Sequence, residues 1–129
     1  MYKELIICII ILIVIIFGNV ITQKNTNKAV EMMTIELNSL RQILLQNDVN
    51  KNEAIKKVKK IQNKWQNEYE KMAYYIEHNE LEKVETEITK IKSDIEIEEF
   101  KIGIENLDGC NFLLEHIKDK TAFKIVNIF

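Results

Sequence analysis

The chain has 129 residues, a formal net charge of −2 from 18 basic and 20 acidic side chains, no proline, three glycines and two cysteines. That length supports one domain with one core rather than two, and the missing proline and scarce glycine remove the punctuation that a β-sandwich or an α/β fold needs at its turns. The acidic balance, with lysines not interleaved with aromatics, argues against nucleic acid as a partner.

Leu5 to Phe17 runs thirteen residues without a polar side chain and continues through Gly18, Asn19, Val20 and Ile21. As a helix, residues 5–21 span roughly 26 Å, just short of the ~30 Å hydrocarbon core of a bilayer. A secretory signal has a similar apolar stretch, but its cleavage needs small residues, and Gly18-Asn19-Val20-Ile21-Thr22-Gln23 holds no A-x-A-like pair. Residues 1–22 therefore read as an uncleaved signal-anchor in the cell membrane, with the lipid bilayer as partner of residues 5–21, and residues 23–129 as the domain it carries. Lys3 and the terminal amine nearly balance Lys24 and Lys28 across the span. A short leader before one long hydrophilic domain favours an extracytoplasmic domain. Cys8 in the span and Cys110 in the domain cannot pair, so stability comes from packing.

Four apolar stripes follow at spacings of three and four, the period of a helix with one buried face. The first is Val30, Met33, Leu37, Leu40 and Leu44, flanked by Ala29 and Ile43 and ending at Gln46-Asn47-Asp48. The second is Ala54, Val58, Ile61, Trp65, Tyr69, Met72 and Ile76, opened by Asn50 or Asn52 as N-cap and closed near His78-Asn79. The third is Leu81, Val84, Ile88, Ile91 and Ile95, and the fourth Phe100, Gly103, Leu107, Cys110, Leu114 and Ile117. Gly103 on the fourth stripe suits a close helix contact and favours a continuous helix, against the alternative of a turn at Asp108-Gly109. The chain closes on an apolar tail, residues 122–129, read as the last piece of the core in preference to a membrane contact. The expected fold is all-α: an N-terminal transmembrane helix followed by an antiparallel up-down four-helix bundle. Its second and fourth helices end beside the membrane and gather Tyr74, Tyr75, His78 and His116 there, where tyrosines suit the interfacial belt.

From Lys51 to Lys64 six lysines face one acid, and from Glu77 to Asp108 eleven acids face four lysines. The plain reading is two solvated faces that attract within the bundle. The sharper one makes Lys56, Lys57, Lys59 and Lys60, with Tyr74 and Tyr75, a contact surface for an anionic partner. His78 and His116, with Glu77, Glu80 and Glu115 nearby, are the candidate metal ligands. No H-x-x-x-H or E-x-x-H pair supports them, and capping or a hydrogen bond is the competing role. Trp65 and Met32, Met33 and Met72 read as core. No nucleophile elbow, P-loop, C-x-x-C or Gly-rich cradle is present, so neither an enzyme nor a cofactor is expected.

An apolar anchor, the central Trp65, the junction Ile76-Glu77-His78-Asn79-Glu80-Leu81, the stretch Leu113-Leu114-Glu115-His116-Ile117 and the closing Val126-Asn127-Ile128-Phe129 together resemble a family of short bacterial proteins catalogued as domain of unknown function 4363. The resemblance covers essentially the whole chain. It implies a single anchor and a helical domain, supplies no catalytic residues, and favours a partner in the membrane. The expected function is a non-enzymatic interaction or accessory module for another envelope or membrane protein. The alternatives are a ligand- or metal-binding sensor-like bundle and self-association through the first two helices.

Overall fold

The computed structural model describes the backbone of residues 1–128 and the side chains of residues 1–122. Four helices follow one another in the order α1 (Tyr2–Leu44), α2 (Lys51–Met72), α3 (His78–Glu96) and α4 (Phe100–Ile128). Short links make successive helices antiparallel. Each helix packs on two neighbours, α1 on α2 and α4, α3 on α2 and α4, so the bundle is an up-down ring.

The anchor and the first bundle helix are one element. No break falls at residues 22 and 23, because Thr22-Gln23-Lys24-Asn25-Thr26-Asn27-Lys28 contains no glycine or proline to interrupt the i→i−4 ladder. At 1.5 Å per residue α1 is about 65 Å long, nearly twice the ~33 Å of α2. Its N-terminal half therefore projects beyond the bundle. There every large apolar side chain from Leu5 to Ile21 except Ile16 is exposed, from 47% at Ile15 to 64% at Phe17.

The core is drawn from the four stripes. Val30, Met33, Leu37, Leu40 and Leu44 of α1, Ala54, Val58, Ile61, Trp65 and Met72 of α2, all five expected residues of α3, and Leu107, Cys110, Leu114 and Ile117 of α4 form one buried cluster. Tyr69, Ile76 and Phe100 are half-buried at its edges. Thr26 joins this cluster as a buried polar residue. The apolar tail beyond Ala122 lies outside the described side chains.

The helix ends have local causes. Asn50 caps α2 by accepting the Glu53 N–H at 3.1 Å. α2 stops at Met72, one turn before Ile76. The N–H groups of Tyr75 and Ile76 both turn back onto the Met72 carbonyl, at 3.1 and 2.8 Å, which swings Tyr75 toward α1. α3 ends in a Schellman arrangement: the Glu99 N–H donates to Asp94 O at 2.8 Å and the Glu98 N–H to Ile95 O at 3.1 Å. Glu98 takes the left-handed position with φ 63°. α4 passes through both glycines. A Cβ on Gly103 would stand 3.5 Å from Asp94 Cβ and 3.6 Å from Leu44 Cδ1, an ordinary contact. The close approach expected at Gly103 is real, yet it leaves room for one carbon.

Candidate functional site: the pole beside the apolar helix

The bundle has two unlike ends. At one, α1 leaves the core and becomes the exposed apolar helix. The Tyr75 hydroxyl lies 3.0 Å from Thr26 Oγ1, which pins the α2–α3 link to α1 only five residues after Ile21, the end of the apolar run. Thr26 Oγ1 gives its single proton to Thr22 O at 2.8 Å, so Tyr75 is the donor across the pair.

Around this pair α1, the α2–α3 link, α3 and α4 enclose a cavity of about 240 Å³. Asn19, Tyr75, Glu77, Glu80 and Lys120 supply its polar groups, and Ile76 and Ile117 its apolar wall. Asn19 Nδ2 is buried and has no hydrogen-bond partner among the described residues. Lys120 Nζ stands 3.6 Å from Glu80 and 3.9 Å from Glu77, close enough for attraction and too far for hydrogen bonds.

The two histidines occupy different settings. His78 begins α3 and its Nδ1 lies 3.0 Å from the Tyr69 hydroxyl. Tyr69 in turn meets Trp65 edge to face, ring centroids 6.3 Å apart. Partial burial, then the Glu82 and Glu85 carboxylates, push the Tyr69 hydroxyl above its ordinary value. It stays protonated and shares one hydrogen bond with Nδ1, whose direction follows the histidine tautomer. His78 thus stands on the flank of α3 that faces α2. The flank facing α4 carries Glu77 and Glu80, and His116 is exposed on α4. Among the described residues no group of three or more His, Cys, Asp or Glu side chains comes together as a metal site.

The lysine group divides likewise. Lys57 Nζ is 2.7 Å and Lys64 Nζ 3.0 Å from the Glu36 carboxylate of α1. Together, Lys57 first, they hold the Glu36 carboxyl down at about 2. Lys57 thus pairs inside the bundle, as Tyr75 does with Thr26. Lys56, Lys59 and Lys60 remain exposed in the first half of α2, and Tyr74 is 92% exposed at the opposite end of that helix. Sequence reasoning missed Asn19, Thr26, Glu36 and Lys120. The only signal for them was position: Asn19 and Thr26 are seven residues apart, two turns on one face of α1.

No curated protein and no solved structure matches the chain. The family model described as Domain of unknown function (DUF4363) covers residues 20–128, starting where the apolar helix enters the bundle; the chain belongs to that family.

Proposed function

We propose that the chain is a single-pass membrane protein whose bundle, held outside the cytoplasm, is a non-enzymatic interaction or accessory module for another envelope or membrane protein. One observation carries this reading: residues 5–21 project from the bundle on an unbroken helix with no buried residue in the apolar stretch. Each such Ile, Leu or Phe removed from water is worth roughly 1.5–3 kcal/mol, and among the described residues nothing covers them. A bilayer does. The exposed Lys56, Lys59 and Lys60 lie toward the far pole of the bundle, where an acidic surface of a neighbouring protein can reach them.

Flotation of the full chain with lipid vesicles tests the anchor. The expected result is co-flotation that resists alkaline carbonate and is lost when residues 1–22 are removed; a chain extracted by carbonate is not anchored. Reporters fused after Phe129, one active only outside the cytoplasm and one only inside, test the side. Crosslinking in intact membranes, followed by capture in mild detergent, tests the accessory role. Recovery of the chain alone, in crosslinked and uncrosslinked samples, would exclude a stable membrane partner, and recovery of the chain crosslinked to itself would assign self-association.

A further inference from the structure

We propose that the cavity at the membrane-side pole binds the head group of an ethanolamine phospholipid, with its phosphate at Asn19 and Lys120 and its ammonium at Glu77 and Glu80. The inference rests on the anchored reading above and names the ligand that reading brings to this pole.

Position comes first. Asn19 and Thr22, which line the cavity, are at the end of the apolar run. With the unbroken apolar run Leu5 to Phe17 in the hydrocarbon, Asn19 and Thr22 come at its boundary and the cavity stands at head-group depth. Its volume of about 240 Å³ falls below the ~300–1,000 Å³ of sites for drug-sized ligands. It suits a head group and excludes a whole lipid or a nucleotide.

The chemistry of the lining sets the charge of the ligand. Asn19 Nδ2 is a buried donor without a partner among the described residues, and an unmet buried donor is costly until an acceptor arrives. Lys120 Nζ lies beyond hydrogen-bonding distance of both carboxylates, so its N–H groups are available to the same acceptor, and a phosphate oxygen accepts from both. Two carboxylates against one ammonium leave the lining one negative charge in excess. A purely anionic head group adds to that excess, whereas a zwitterion balances it by placing its ammonium against Glu77 and Glu80. A primary ammonium donates hydrogen bonds to carboxylates and a quaternary one does not, which favours ethanolamine over choline. Ile76 and Ile117 offer an apolar wall to the carbons next to the phosphate. Tyr75 is fixed by Thr26 and Thr121 Oγ1 donates to Ile117 O at 2.9 Å, so these two walls are satisfied without ligand.

The test uses the full chain in vesicles of equal parts ethanolamine, choline and glycerol phospholipids with identical acyl chains. The protein is extracted in mild detergent and the retained lipid is identified by mass spectrometry. The expected result is ethanolamine lipid enriched roughly tenfold over the other two, the preference that charge-assisted hydrogen bonds from the ammonium supply. The enrichment should fall to parity in Glu77→Gln/Glu80→Gln and in Asn19→Leu, and survive in Lys120→Arg. Helicity by circular dichroism and vesicle flotation, measured on each variant, separate loss of the site from loss of the fold or the anchor: a variant that folds and floats but retains the three lipids equally supports the proposal. Equal retention by the unaltered, floating chain overturns it, as does an enrichment that persists in the double glutamine variant. Saturable binding of free phosphoethanolamine with no enriched lipid would also overturn it, by assigning the cavity to a soluble zwitterion.

Discussion

The Tyr75 hydroxyl donates to Thr26 Oγ1 across 3.0 Å, joining residues 49 positions apart at the point where the bundle meets its apolar helix. Thr26 is fully buried, so this acceptor has no water to fall back on. Tyr75→Phe should cost about 1 kcal/mol and Thr26→Val a similar amount, while the double variant should cost less than the sum. Urea unfolding of the full chain in detergent, followed by circular dichroism, measures the cycle. Strict additivity would mean that the two hydroxyls do not interact.

Glu36 predicts an acid dependence. Lys57 and then Lys64 lower its pKa from 4.5 to about 2. A depressed carboxyl stabilises the fold in full above its unfolded value, and that contribution is lost as pH falls from about 4.5 toward about 2. The carboxylate is 13% exposed, so the pair is screened less than a surface pair, and the loss should be roughly 2 kcal/mol. Glu36→Gln should lower stability at neutral pH and flatten the acid limb of midpoint against pH. An unchanged limb would show that the lysines do not hold the carboxylate.

The core was legible in the sequence because a helical stripe identifies its own buried face; Val58, Ile61, Trp65, Leu81 and Ile88 needed no knowledge of their neighbours. Two kinds of feature were not. The run from Thr22 to Lys28 carries no apolar side chain, yet on an unbroken helix it turns Thr26 inward, leaves Thr22, Gln23 and Asn27 half-buried and exposes Lys24, Asn25 and Lys28. Polar partners across the bundle also leave no local trace. Glu36 meets lysines 21 and 28 residues away, and Lys120 meets Glu77 and Glu80 only because α3 and α4 run antiparallel. Topology directs both histidines toward one pole, but helix rotation decides which flank each occupies, and the Tyr69 hydroxyl meets His78 Nδ1.

Glu98 holds the left-handed position of the α3 C-terminus with φ 63°, where a Cβ is disfavoured and glycine is not. Glu98→Gly should stabilise the chain by roughly 0.5–1 kcal/mol, the strain relieved less the added freedom of the unfolded chain. Glu98→Val should destabilise it. Thermal midpoints of the three proteins, compared under one condition, give the order; a glycine variant below the parent would contradict the strain.

Gly103 and Gly109 lie inside α4, where glycine is less favourable than alanine by about 1 kcal/mol. The added Cβ at Gly103 meets its neighbours at 3.5 and 3.6 Å, and at Gly109 meets only Glu87 Oε2 at 3.9 Å. Both alanine variants should therefore raise the unfolding midpoint. Gly103→Leu should lower it by about 1–3 kcal/mol of overpacking between Asp94 and Leu44. A Gly103→Ala variant less stable than the parent would mean that the space between Asp94 and Leu44 does not admit the added carbon.

The two cysteines report on fold and membrane in one experiment. Cys110 is fully buried, and burial, with Glu87 adding to it, pushes its thiol up to about 12. Because the thiolate is the reactive form, Cys110 should resist maleimide in the native chain and react only on unfolding. Cys8 is exposed on the projecting helix, so its reactivity depends on what covers that helix. In vesicles a charged, water-soluble maleimide should leave it unmodified, whereas a lipid-soluble one should reach it. Labelling by the charged reagent in sealed vesicles would place Cys8 in water and remove the bilayer as the cover of residues 5–21. The same reagent added after denaturation counts both thiols, so protection of Cys8 by lipid and of Cys110 by packing are read separately on one chain.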